Sequence, residues 1–257
     1  MSGIYLYCIV RSARKPSGSR VPSGLPGASR PELLPVGRSL WLVVADVPLD
    51  IYGSEALEVR LADLQWVGGV ALAHERVVEH FALRSSLTVV PMKLFTMFTT
   101  RERAVGDVEA KLTEIAGVMR RISGAHEWGL RVTQNPGPRR RGESSPARAA
   151  SGVAFLAARK QARDLAKHAK LAAAESAAAA YQRLAKLARE ARVRDDIPAS
   201  AATPPLLDAA FLVPTSRRTK FTQAAKREAA VCARAGAQVT LSGPWPAYNF
   251  VDGSQTR

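Results

Sequence analysis

From Val153 to Ile197 the chain contains neither glycine nor proline. No other feature restricts the fold as much. Alanine dominates, with Lys, Arg, Leu and Gln, all strong helix formers. One continuous helix of about 40 residues would run about 60 Å at 1.5 Å per residue. Its large apolar residues are sparse: Phe155, Leu156, Leu165, Leu171, Tyr181, Leu184 and Leu187. Such a thin, alanine-lined stripe lets helices approach closely. A single rod and a hairpin turning near Ser176, whose two stripes would cover each other, both satisfy the pattern. No strict heptad runs through it, which speaks against a long coiled-coil dimer.

The segments on either side read differently. "IYLYCIV" (4–10) and "LWLVVADV" (40–47) are short, β-branched and aromatic, and so are expected as strands. Residues 14–38 between them read as a long loop. Helical spacing covers about Leu57 to Leu83, with a possible break at Gly68-Gly69, and puts Val70, Ala73, Val77, Val78 and Phe81 on one face. "LTVVPMKLF" (87–95) is a strand with an internal proline, hence an edge or a bulge. Residues 101–122 form an amphipathic helix with Val105, Val108, Leu112, Ile115 and Met119 inward, and "HEWGLRVT" (126–133) closes the unit as a strand. "QNPGPRRRGESSPARAASG" (134–152) has the composition of a linker. The expected organisation is therefore a first α+β domain over 1–134, a Pro/Gly/Arg-rich linker over 135–152, and a second domain over 153–257. In that second domain Pro198 ends the helical element. A strand follows at 207–214, then a helix at 216–236 capped by Ser216 and ended by Gly236, and a last strand at 237–243.

Charge is the unusual quantity. The 257 residues carry 37 Lys and Arg against 22 Asp and Glu, a formal net charge of +15. Between Arg139 and Arg194 there are 14 basic and 4 acidic residues, so most of the surplus lies in one segment. A basic stripe of this kind suits an acidic protein partner, an anionic surface or nucleic acid. The two cysteines, Cys8 and Cys232, are far apart and form no C-x-x-C pair, which points to a reducing compartment. The apolar start lacks a basic n-region and no run approaches a membrane span, so a soluble, cytoplasmic protein without membrane contact is expected.

No phosphate-binding loop, dinucleotide fingerprint or nucleophile elbow is present. "HERVVEH" (74–80) puts His74 and His80 six apart, a spacing that does not stack two ligands on one helical face. His74, Glu75 and Glu79 read as solvated residues of an amphipathic helix rather than metal ligands, and His126 beside Glu127 reads as structural. No residue set supports catalysis, and neither a cofactor nor a metal is expected.

Several blocks in order resemble the gas vesicle protein F/L family (GvpF/GvpL). They are "YLYCIV" (5–10), "GLPG" (24–27), "LWLVVADV" (40–47), "HERVVEH" (74–80), "VVPMKLFTMF" (89–98), "SGAHEWGLRV" (123–132), "SGVAFLAARK" (151–160), "AAFLVP" (209–214) and "SGPWPAYNFV" (242–251). The last is the most specific, with Ala247 where the family has a second proline. One departure bears on the backbone. Lys93, Leu94, Phe95 and Thr96 stand where the family has a basic residue and Phe-Gly-Thr, so Phe95 replaces a glycine. If that glycine serves a positive φ, the local backbone here must differ. The arginine-rich linker and alanine-rich helix are also unusual for the family.

The resemblance implies a two-domain α+β protein: a ferredoxin-like variant first, then a domain with a long helix or helical hairpin and a small sheet. It implies a non-enzymatic accessory role in gas vesicle assembly, with the hydrophobic shell protein and other accessory proteins as partners. Two surfaces are candidates for partner binding. One is the aromatic set Trp245, Tyr248 and Phe250, which either packs between the domains or forms an exposed patch. The other is the basic arm over 153–192, with Arg159, Lys160, Arg163, Lys167, Lys170, Arg183 and Lys186. The alternative is a nucleic-acid-binding protein using the same arm. Phe155 and Tyr181 are its only aromatics, too few for base stacking, and nucleic acid is not the expected partner.

Overall fold

The computed structural model describes residues 1–18, 20–135, 152–194 and 204–251, with side chains in the long helix from Phe155 onward. It is an α+β fold with two sheets, divided into two compact units. The first comprises Met1–Glu127 and Pro244–Arg257, the second Trp128–Gly243. The expected linker, apart from its first and last residues, lies outside the described residues, as does Pro198. The division runs instead inside a strand, and the C-terminal residues belong to the first unit.

The first unit is built on strand β1 (Ser2–Arg11), which is buried along its whole centre. β2 (Glu32–Val36) and β3 (Leu40–Pro48) follow, then α1 (Leu49–Tyr52), α2 (Ser54–Arg60) and α3 (Leu64–Ala82). Next come β4 (Thr88–Pro91), β5 (Met97–Phe98), α4 (Arg101–Ala110) and α5 (Leu112–Ile122). The sheet order is β2-β3-β1-β4, with β5 also on β1, and all these pairings are antiparallel. β1 reads as an unbroken apolar run because it is central and both its faces are covered. Pro91 ends β4 rather than interrupting it. β2 lies inside the stretch expected to be loop, where Pro35 and flanking glycines hide a strand that pairs only with β3.

The helices depart from the expected spans at polar residues. The break in 57–83 falls at Leu61–Asp63, not at Gly68-Gly69, because the Asp63 carboxylate accepts from the Gln65 and Trp66 amides and starts α3 there. The inward face is Val70, His74, Val77, Val78 and Phe81, with His74 taking the place expected for Ala73. The helix at 101–122 is interrupted at Lys111, whose φ of −111° is not helical. This rotates the second half so that Ile115, Val118, Met119 and Ile122 are buried while Leu112 is exposed. Each such buried aliphatic side chain contributes about 1.5–3 kcal/mol.

Two backbone sites in this unit explain sequence blocks. A Cβ on Gly24 would lie 2.1 Å from the Tyr7 hydroxyl, which accepts the Leu25 amide at 3.0 Å, so the loop can close on Tyr7 only with glycine there. Phe95 has φ +64°, so the local backbone keeps the left-handed conformation instead of avoiding it. An L side chain there costs about 1–2 kcal/mol. The Phe95 ring lies parallel to Trp66 with centroids 6.0 Å apart, and its amide donates to the Tyr5 hydroxyl at 3.3 Å, which offsets that strain.

The second unit's sheet has the order β7-β8-β6-β9, from β6 (Ala125–Gln134), β7 (Glu190–Val193), β8 (Leu207–Pro214) and β9 (Ala237–Trp245). Its helices are α6 (Gly152–Ala185) and α7 (Arg218–Arg234). α6 is one helix with no turn near Ser176, and it ends at Ala185. The expected continuation to Ile197 is overturned: 190–193 pairs with 209–212 as an antiparallel edge strand. Helix propensity there yields to the free edge of β8. A 3-10 turn at Thr215–Arg217 precedes α7, and no side chain caps it, so Ser216 does not act as expected. Gly236 does follow the helix with φ +80°. The core gathers Trp128, Leu130, Val132, Ala177, Leu184, Phe211, Phe221 and Cys232. Asp208, 4% exposed, receives both Arg131 and Arg194.

Candidate partner-binding surfaces

The C-terminal block is held in the first unit by polar contacts. Arg121 donates through Nε and Nη2 to the Phe250 carbonyl at 3.2 and 2.7 Å. The buried Glu127 carboxylate accepts the Asn249 amide at 2.9 Å and its Nδ2 at 2.5 Å. Phe250 is fully buried and Tyr248 packs against the first unit's core, so Trp245 alone of the three aromatics is exposed. The reading of all three as an exposed patch does not survive this placement.

The HERVVEH block is also not the solvated face expected. His74 is buried on α3, where its Nδ1 lies 2.8 Å from the Tyr5 hydroxyl and its ring stacks on Tyr7 at 5.6 Å. Tyr5 uses its hydroxyl oxygen to accept from Phe95, so donating its own proton to Nδ1 satisfies both groups. That leaves the His74 proton on Nε2, which makes no well-formed hydrogen bond. Burial lowers this imidazole to about 4. Beside it the Tyr248 hydroxyl faces the Glu75 carboxylate, with neither oxygen in a well-formed hydrogen bond. Burial raises both groups. His126 Nε2 lies 3.3 Å from the Ala82 carbonyl, in keeping with a structural role. Among the described residues no three or more His, Cys, Asp or Glu side chains are grouped to hold a metal ion. Nor is any helix among them long and apolar enough to cross a membrane.

The basic residues are split by α6 into two classes. Every residue from Phe155 to Ala172 is exposed, about five turns of helix. Arg159, Lys160, Arg163, Lys167 and Lys170 all lie there, and none makes an ion pair within the described residues. Turning by 100° per residue places all five on one side of the helix. From Ala173 onward the helix is packed, with Ala173, Ala177, Ala180 and Leu184 buried. Arg183 lies in this half and forms a bidentate pair with Glu228 of α7 at 2.7 Å, so it serves the fold. Lys186 is exposed just beyond the helix end.

Residues 3–252 match the family model described as gas vesicle synthesis protein GvpL/GvpF. The chain belongs to this family. Among GvpL/GvpF relatives, "Gas vesicle protein L" of Streptomyces sp. (strain CB03234) is 28% identical over 254 residues, covering 96% of this chain and 91% of that protein. The crystal structure of GvpF from Anabaena sp. PCC7120 superposes with a TM-score of 0.68 at 14% identity, covering 99% of this chain and 98% of its own. GvpF from Microcystis aeruginosa gives 0.63 at 14% identity, covering 98% and 99%. These two likenesses carry the GvpF fold; the family itself rests on the sequence match. The Glu127–Asn249 clamp on the family's C-terminal block was not legible beforehand, because the two residues lie 122 apart in sequence.

Proposed function

We propose that this chain is an accessory protein that assists assembly of the gas vesicle shell by binding the hydrophobic shell protein and other accessory proteins, and that α6 is its docking arm. The observation that supports this is the run of five cations, with no ion pair among the described residues, on an exposed helix whose other end is anchored in the second unit's core. A shell subunit exposes apolar surface before assembly, and a highly charged partner remains dispersed while covering it. The exposed Trp245 is a second, smaller contact candidate. Each reading fits a protein that works by contact rather than by chemistry.

Co-purification of the shell protein with this chain at rising salt tests the reading. Binding that weakens with salt and is lost on R159E/R163E/K167E/K170E is expected. Binding indifferent to both refutes the arm. Mobility shifts with mixed DNA and RNA at physiological salt separate the nucleic-acid alternative, for which counterion release predicts a steep salt slope. That alternative has lost one of its two stacking candidates, since Tyr181 lies against Phe211 at 5.6 Å in the second unit's core.

A further inference from the structure

The net charge of +15 is not shared evenly between the two units. Residues 128–243 carry 21 Lys and Arg against 8 Asp and Glu, whereas the first unit carries 16 against 14. The second unit therefore holds +13 of the total. A surplus of that size repels itself and works against a compact unit. Three of the acids that could offset it are engaged inside the fold: Glu190 by Arg192, Asp208 by Arg131 and Arg194, and Glu228 by Arg183.

α7 shows where part of the remaining charge points. Its inward side is Phe221, Ala225, Glu228 and Cys232. At 3.6 residues per turn, Lys220, Arg227 and Arg234 lie within about 40° of one another and about 110–150° from the middle of that side. They stand seven residues apart, a step of about 10 Å along the axis. Lys226 is on the other flank of the same outer face, with Gln223 and Ala230 between. All four cations are exposed and none makes an ion pair among the described residues. The single acid of α7, Glu228, faces inward.

This row does not serve the helix that carries it. Lys220 stands in the first turn, which holds no acid and no side-chain cap. A cation at that end opposes the helix dipole. Its neighbour Arg218 has a use within the fold, because its guanidinium carbon lies 5.9 Å from the centre of the Trp128 ring. Lys220, Arg227 and Arg234 have no such contact among the described residues.

We propose that the outer face of α7 is a second docking surface, separate from α6, and that it takes an acidic helix of another protein whose Asp or Glu side chains repeat every seventh residue. A helix laid along α7 presents carboxylates at the same step of about 10 Å, so three ion pairs form in register. The absence of any acid on this face sets the sign of the partner. The face holds no aromatic ring on which bases could stack, which disfavours nucleic acid. A helix lying on a membrane surface needs an exposed apolar side. The apolar side of α7 is buried in the core, and Val231, its most exposed large apolar residue, is only 37% exposed.

Fluorescence anisotropy of the full chain at low ionic strength tests this with two labelled synthetic helices of about five turns. Both carry three Glu, one with a step of seven and one with the three spread around the helix. The first is expected to bind about ten-fold tighter, since three partly exposed ion pairs together amount to about that factor. K220Q/R227Q/R234Q is expected to remove the preference and to leave the thermal midpoint unchanged or higher. R159E/R163E/K167E/K170E on α6 is expected to keep the preference, so failure of the α6 arm and failure of this surface are told apart. Equal binding of the two probes, or a preference that survives K220Q/R227Q/R234Q, overturns the proposal. A lowered thermal midpoint in that variant would show that the row serves the fold, which overturns it as well. So does a single-stranded oligonucleotide or an anionic phospholipid vesicle that binds more tightly than the first probe and is weakened by the same variant.

Discussion

Acid should unfold the first unit through His74. The imidazole is buried, and a second proton on Nδ1 would have to displace the proton that Tyr5 donates there, in a desolvated site. Desolvation holds it at about 4, against about 6.5 in an unfolded chain. The folded state therefore binds this proton less tightly than the unfolded state. The stability His74 contributes is complete above pH 6.5 and is lost as pH falls toward 4. At pH 5 the unfolded imidazole is mostly protonated and the folded one mostly neutral. The loss is about one and a half pH units at 1.36 kcal/mol each, or about 2 kcal/mol. In urea that moves the midpoint down by about 1 M between pH 7 and pH 5. The assay compares wild type with His74→Gln, which starts less stable but cannot titrate. His80 is also held low, by burial and by the Arg84 cation, and titrates in both proteins. The difference in pH slope thus isolates His74. If the variant loses as much stability as wild type on going to pH 5, the argument from burial is wrong.

Three further outcomes follow from the geometry. At Phe95 the left-handed backbone makes Phe95→Gly more stable than Phe95→Ala by about 1 kcal/mol, the reverse of the usual order, and equal thermal midpoints for the two would show that no strain is present. Gly24→Ala should cost about 1–3 kcal/mol by displacing the Tyr7 hydroxyl from the Leu25 amide, and a double change with Tyr7→Phe should recover part of that loss. Asp208→Ala leaves the Arg131 and Arg194 guanidinium groups facing each other without their shared carboxylate, and chemical denaturation should register about 3 kcal/mol; a loss under 1 kcal/mol would mean that solvent already screens the pair.

Much of the first unit's framework was readable from residue order. β1 and β3 stand out because central strands covered on both faces must be apolar throughout. The helical face of α3 was legible except at one position, where a histidine reads as polar until Tyr5, 69 residues away, is brought against it. β2 and the 190–193 strand were invisible for a related reason. Each is an edge whose only partner is a neighbouring strand, and a pairing energy supplied by β3 or β8 leaves no period in the segment itself. The cations of the arm were legible, but their exposure was not.

Composition alone determined that the segment from Val153 to Ile197 favours helix, as one rod or a hairpin, and that it is basic. Local preferences fix such things because they sum along neighbouring residues. Tertiary structure decided which half of that helix is covered, since α7 is seventeen residues long and α6 thirty-four. It also decided that the C-terminal block from Pro244 returns to the first unit, because Glu127 there accepts from Asn249 and Arg121 donates to the Phe250 carbonyl. Partners distant in sequence leave no trace in either local pattern, and only the folded chain brings them within hydrogen-bonding reach.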